Sequence, residues 1–158
     1  MPSFVHLHVH TEYSLLDGLT KIKQLVSSAK DMNMTSIAIT DHGVMYGAIE
    51  FYKACLKENI KPIIGCEVYV SPKSRFIKTP ANKKNYHLTL LAKNKQGYKN
   101  LMKLVSLSFL EGFYYKPRID DKILKKYHQG LICLSGCLQG EISQKIIDKK
   151  IDSAKKSA

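Results

Sequence analysis

MPSFVHLHVHTEYSLLD, residues 1–17, is the stretch from which the rest of the chain is best read. Val5, Leu7 and Val9 alternate with His6, His8 and His10. Side chains two apart on an extended chain share a face, so residues 4–9 are expected to form a strand with an apolar side and an imidazole side. An imidazole face is poor core material, whereas neutral imidazole is the commonest protein ligand for zinc-like metals. Thr11 and Asp17 follow closely. A strand that delivers ligands at its end suits an α/β fold with its site on the rim of the sheet.

Outward from that strand, apolar runs alternate with helical patterns. Residues 21–33 place Ile22, Leu25, Val26, Ala29 and Met32 at helical spacing, with Thr20 as the expected N-cap. Residues 36–40 (SIAIT) read as a buried strand and 45–57 as a second helix. Residues 62–64 and 67–70 read as strand interrupted at Gly65. Residues 71–86, polar and lysine-rich, read as a long loop, a length usually tied to function or mobility. Residues 87–92 (HLTLLA) form a further strand, 97–110 a helix, 121–127 a short helix and 131–134 (LICL) a strand. Between them, 113–119 is an aromatic, proline-interrupted connection, and 141–156 is a helical pattern. The alternation predicts a parallel α/β architecture, open or barrel, in one domain over 1–158. The last pattern meets no Gly or Pro stop before Ala158, so the chain is expected to be cut within a helix.

Composition narrows the class. In residues 1–52 three lysines face five acidic residues, a net −2, while the other 22 basic and eight acidic residues make 53–158 +14. A basic surface of this kind suits a polyanion such as nucleic acid, although a merely solvated lysine surface is an equal reading of charge alone. Lys73, Arg75, Lys78, Lys83 and Lys84, in the loop between the Glu67 and His87 segments, are the candidate DNA contacts. No apolar run nears the ~18 residues of a membrane span, and the N-terminus lacks the pattern of a signal peptide. The expected location is the cytoplasm, with no membrane partner. Cys55, Cys66 and Cys133 are read as small buried hydrophobes there.

Polar residues gather at strand ends: His8, His10 and Asp17 after the first, Asp41-His42-Gly43 after the second, Glu67 in the third and Ser135-Gly136-Cys137 after the fifth. His87 stands apart, at the start of its strand. Each group alone is more often a turn, a surface residue or packing. Together they offer nitrogen, oxygen and sulfur donors to one rim, which suits zinc, manganese or iron. The donor count exceeds what one tetrahedral ion needs. It points to two or three divalent ions, an arrangement suited to phosphate-ester hydrolysis.

HVHT, ITDHG, GCEVYV, YHLTLLA and LSGC resemble the polymerase-and-histidinol-phosphatase (PHP) domain family. YSLLDG, GAIEFYKAC, IKPIIG, NKQGYKNLMKLVS, EGFYYKPRI and GLICLSGCLQGEI resemble more narrowly the N-terminal part of the bacterial DNA polymerase III α-subunit family. The resemblance spans essentially the whole chain. It implies an incomplete, distorted (βα)7-type barrel with a trinuclear metal site, truncated before its last strands. It places His8, His10, Asp17, His42, Glu67, His87 and Cys137 at ligand positions. His6 matches none and is assigned packing beside the site. It also implies a parent DNA-directed DNA polymerase that acts in DNA replication. Magnesium would serve its polymerase module, DNA and the other holoenzyme subunits would be its partners, and its PHP site would be a metal-dependent 3′→5′ proofreading exonuclease. The family's last ligand pair, an Asp-x-His, is absent from these 158 residues, so the fragment alone is expected to be inactive. Two other readings remain open here: a free-standing phosphoesterase such as a histidinol phosphatase, and a silent platform for a proofreading subunit.

Overall fold

The computed structural model describes residues 4–15 and 17–158. The elements in order are α1 (Ile22–Asp31), β1 (Ser36–Ile39), α2 (Ala48–Lys57), β2 (Lys61–Val70), a single 3-10 turn (Pro80–Asn82), β3 (Tyr86–Ala92), α3 (Lys95–Leu110), β4 (Arg118–Ile119), α4 (Asp121–Tyr127), β5 (Leu131–Leu134), α5 (Glu141–Ile147) and α6 (Ile151–Ser157). The result is a mixed α/β fold around a five-stranded sheet.

The sheet is not the parallel one expected from sequence. Its order is β1-β2-β3-β5, with β4 on β2. β1 and β4 run parallel to β2, but β3 is antiparallel to both β2 and β5. The 71–85 connection is long enough for a crossover, yet it returns the chain beside β2 in the opposite direction. Gly65 does not break β2, which is continuous from Lys61 to Val70. A Cβ at Gly65 would lie 2.6 Å from the Leu90 carbonyl oxygen, so glycine there admits close strand approach.

Residues 4–9 differ as well: they run extended beside β1 but make no regular ladder. Ala38 N–H donates to the His6 carbonyl and Thr40 N–H to that of Val9. A two-residue step on β1 thus spans three residues of the N-terminal segment. Val9 N–H turns instead to the Thr40 hydroxyl at 2.8 Å, so a side chain takes the place of a ladder bond.

Helix ends follow local chemistry. Lys21, not Thr20, is the N-cap of α1, without a side-chain cap bond. α1 and α2 each stop at an asparagine in the left-handed region, Asn33 and Asn59, both at φ 56°. Met34 N–H bonds the Ala29 carbonyl and Ile60 N–H that of Cys55, the pairing of a Schellman motif. Lys149, at φ 60°, does the same with a less suited residue, as Lys150 N–H bonds the Lys145 carbonyl. This splits the helical pattern 141–156 into α5 and α6. Asn94 and Asp120 cap α3 and α4 by accepting from Gly97 and Ile123 N–H.

Two apolar cores cover the sheet. One joins Ile22, Val26 and Ala29 of α1 and Phe51 and Cys55 of α2 to Ile37 and Ile39 of β1. The other joins Leu101 and Leu104 of α3 and Ile123 of α4 to Cys66, Val68, Leu90 and Ile119. Each fully buried Ile, Leu or Phe contributes about 1.5–3 kcal/mol. Cys55 and Cys66 lie in these cores, as expected, and burial pushes the Cys55 thiol up to about 11. Cys133 is exposed, against expectation.

The 71–85 segment is organised by Arg118, whose side chain is fully buried. Its guanidinium donates to the carbonyls of Gly112, Asn82, Arg75 and Ile77. Arg75, expected on a DNA-contacting surface, is instead buried. Its guanidinium reaches both Asp120 oxygens at 3.0 Å and Glu111 at 2.6 Å. Arg75 is therefore not available as a DNA contact, because its guanidinium is buried and its donors are committed to Asp120 and Glu111. Lys73, Lys78, Lys83 and Lys84 are exposed. No helix among the described residues is long and apolar enough to cross a membrane.

Candidate metal centre

Glu67 lies midway along β2, opposite Thr89 of β3, and is bridged on its other side to His42. It is 1% exposed, and both of its oxygens are surrounded by imidazoles. Oε2 lies 2.5 Å from His8 Nε2 and 3.7 Å from His10 Nε2. Oε1 lies 2.6 Å from His87 Nδ1 and 2.8 Å from His42 Nδ1. Two tight groups result, His8–His10–Glu67 and His42–Glu67–His87, each with donor atoms within 4.8 Å of one another. They share one carboxylate.

The reversed strand explains how His87 arrives. In an all-parallel sheet the start of a strand lies at the end remote from the site. With β3 antiparallel, its start falls on the same rim as the ends of β1, β2 and β5, and His87 pairs with Tyr69. Beyond β5, Gly136 turns the chain at φ 79° and Cys137 Sγ comes to 3.8 Å from His87 Nδ1. Asp17 Oδ2 lies 3.0 Å from His42 Nε2, the ring nitrogen facing away from Glu67. The seven candidate ligands therefore form one connected cluster, with Asp17 and Cys137 at its edges. His6 is exposed and packs edge-on against Phe4 instead.

Asp41 holds the N-terminal candidate ligands in place. It accepts from Thr11 N–H at 2.5 Å, Thr11 Oγ1 at 2.8 Å and Ser14 Oγ at 2.8 Å, and Ser14 Oγ accepts from His42 N–H. All three side chains are buried. These contacts lock the segment bearing His8, His10 and Asp17 to the loop bearing His42. Sequence reading marks Asp41 only as part of the Asp41-His42-Gly43 group and does not mark Ser14 at all. Their signal was a pair of small hydroxyls in HVHTEYS beside the acid of TDHG, a set able to satisfy a buried carboxylate. Tyr69 was also missed, although its i+2 spacing from Glu67 puts it on the same strand face. Its ring sits 5.1 Å from that of His87 and 6.2 Å from that of His42, and burial pushes its phenol up to about 12.

The donor chemistry fits metal ions better than hydrogen bonds. Glu67 Oε1, His42 Nδ1 and His10 Nδ1 are buried, and none has a hydrogen-bond partner. His42 and His87 crowd Oε1 at short range but off the direction a hydrogen bond needs. Burial pushes the Glu67 carboxyl up, but His87 and His42 beside it outweigh that and hold it below the usual carboxylate range. For His10, burial and then neighbouring His42 lower the proton affinity, which favours the neutral, ligating imidazole. For His42 the Glu67 carboxylate raises it.

The sequence family described as PHP domain matches residues 6–158. The chain is 55% identical over 154 residues to a DNA polymerase III subunit alpha of Borreliella burgdorferi, covering 96% of this chain and 13% of that protein. It is 49% identical over 158 residues to that of Treponema pallidum, covering 99% and 14%. With that of Helicobacter pylori it shares 52% over 141 residues, covering 89% and 12%. The chain thus spans 12–14% of the length of these relatives. Among solved structures, an amidohydrolase from Chromobacterium violaceum with bound sulfate and no metal aligns with a TM-score of 0.49. It is 23% identical, and the match covers 66% of this chain and 33% of that one. A Bifidobacterium adolescentis structure described as a metal-dependent phosphoesterase aligns with a TM-score of 0.49 and 18% identity, covering 68% and 34%.

Proposed function

Because this chain belongs to the PHP domain family, we propose that it is part of the α subunit of a replicative DNA polymerase and that its rim cluster binds two or three divalent ions for phosphodiester hydrolysis. The single observation that supports this best is the division of Glu67, one oxygen toward His8 and His10 and the other toward His42 and His87. A carboxylate between two imidazole pairs is the donor arrangement of a bridged, multinuclear site.

In this reading His8, His10, Asp17, His42, Glu67, His87 and Cys137 are the ligands, and zinc, manganese or iron suits their mixture of donors. Bound metals would polarise the phosphoryl group, make water nucleophilic near neutral pH and stabilise attacking and leaving oxygens. The chain's own residues supply orientation. Asp41 fixes the N-terminal ligands, and Tyr69 walls the His42–His87 side. The cleft of about 470 Å³ beside His42 and His87 gives a strand end room to approach. The activity proposed is 3′→5′ exonucleolytic proofreading of DNA in the cytoplasm. It would accompany a DNA-directed DNA polymerase whose own module uses magnesium and which assembles with other replicative subunits. Residues 1–158 are proposed as the N-terminal part of the PHP domain, residues 1–3 and 16 lying outside those described.

Elemental analysis of the purified full-length protein tests the reading. Two or more equivalents of transition metal are expected, falling to near none in the His8→Ala/His10→Ala/Glu67→Gln variant. Release of mononucleotides from single-stranded DNA should vanish with the metal. Unchanged metal content in that variant would refute the ligand assignment.

A further inference from the structure

The turn Tyr114–Pro117, from the EGFYYKPRI segment, is built in a way that its structural role does not explain. Tyr114 and Lys116 pair across it, leaving Tyr115 at the tip. Tyr115 has φ 59° and is 65% exposed. The left-handed region suits glycine or asparagine, and a bulky residue there is a genuine outlier. Nothing in the core repays it, since the ring stands in solvent beside Tyr114 at 4.8 Å. Strain kept at an exposed position points toward a contact made by the side chain itself.

Its neighbours are cations. Lys83 Nζ stands 4.5 Å over the Tyr115 ring, and Lys116 Nζ stands 5.2 Å over the ring of Tyr69. Tyr69 in turn abuts His87 and His42. Pro117 pins the turn to the metal loop, because a Cβ on Gly43, next to His42, would come 2.8 Å from Pro117 Cγ. A path therefore runs from the imidazoles across Tyr69 to Lys116 and on to Tyr115 and Lys83, with cation and ring alternating.

We propose that this turn is a single-stranded DNA platform. A base of the strand stacks on Tyr115, and Lys116 and Lys83 contact the phosphates on either side, which aims the strand end at the centre. Aromatic rings interleaved with lysines suit single strands, because every base has a π-face and every linkage a phosphate. The proposal rests on the phosphodiester-hydrolysing reading above and names residues that would hold its substrate.

The test is fluorescence anisotropy of a labelled oligothymidylate with the full chain in chelator, so that nothing is cleaved. Tyr115→Ala should weaken binding about tenfold, within the range of a lost base–aromatic stack, while Tyr115→Phe keeps it. Tyr115→Gly relieves the backbone, so it should raise thermal stability while still losing affinity. Lys116→Gln should flatten the log–log salt dependence by about 0.7, the value for one single-strand phosphate contact. Abasic substitution in the oligonucleotide should weaken wild type but not Tyr115→Ala. Binding by Tyr115→Ala or Tyr115→Gly within about twofold of wild type, or equal sensitivity of wild type and variant to the abasic site, would overturn the platform. If the variants behave as expected but metal-loaded protein cleaves no DNA, the hydrolytic reading fails and the platform stands.

Discussion

Two buried charged clusters flank β2, and they are opposites in how their polar atoms are paired. Around Arg118 and Arg75 each guanidinium meets oxygens at hydrogen-bonding distance: four backbone carbonyls for the first, Asp120 and Glu111 for the second. Around Glu67, four imidazoles crowd one carboxylate, and buried nitrogen and oxygen atoms are left without partners. Both clusters bury charge. The first is complete in itself and holds a loop. The second leaves Glu67 Oε1, His42 Nδ1 and His10 Nδ1 unpaired, a donor set that suits a metal. Burial of charge alone therefore does not separate a candidate metal site from a structural anchor.

That contrast can be broken in four ways. The largest effect is expected from Arg118→Leu, which strips a charged donor from four carbonyls at about 1–3 kcal/mol for each one left buried and unpaired. A loss of about 4 kcal/mol or more should appear in urea unfolding. Arg118→Lys should rescue little, since one ammonium cannot fork as a guanidinium does. The next effect belongs to the other cluster. Zinc or manganese at a hundred times its dissociation constant should stabilise the chain by about 2.7 kcal/mol. Differential scanning calorimetry should show the gain in wild type and Arg75→Met alike, and not in His8→Ala/His10→Ala.

Gly43→Ala should cost about 1–2 kcal/mol for its left-handed backbone and weaken metal binding, because φ is 66° there and the new Cβ meets Pro117 and Tyr69 beside His42. Isothermal titration calorimetry against wild type reads the second effect. The smallest change is a pH dependence at Asp120. Burial pushes this carboxyl up, but backbone N–H groups of Arg75 and Ile123 and the Arg75 guanidinium outweigh it, so it stays below its usual range. A depressed folded-state pKa gives stability that is present above the unfolded value, about 3.9, and lost as pH falls through the folded value. Asp120→Asn should flatten that acid limb in unfolding curves taken below pH 4 while keeping the helix cap, since asparagine caps as well as aspartate.

The sequence made some of this legible and concealed the rest for identifiable reasons. Helices with a clear 3.6-residue period, such as Ile22–Asp31 and Ala48–Lys57, could be read because each also buries a face. The candidate ligands could be read from residue type and proximity to strand ends. Strand direction could not, since the 71–85 connection is compatible with either sense, and His87 therefore looked misplaced. Arg75 looked like its lysine neighbours because the partners that bury it, Glu111 and Asp120, lie 36 and 45 residues away. The break between α5 and α6 was hidden because Lys149, which carries no turn signal, takes the left-handed conformation usually left to glycine.

Arg118 also sets an order of events during synthesis. The carbonyls it gathers at Arg75 and Asn82 precede it by 43 and 36 residues. At a ribosomal rate of about 5–20 residues per second, the segment waits roughly 2–9 s between its own translation and that of the residue that orders it. Once the lysine-rich stretch has left the ribosome it waits about as long again for Arg118 to follow, without the residue that organises it.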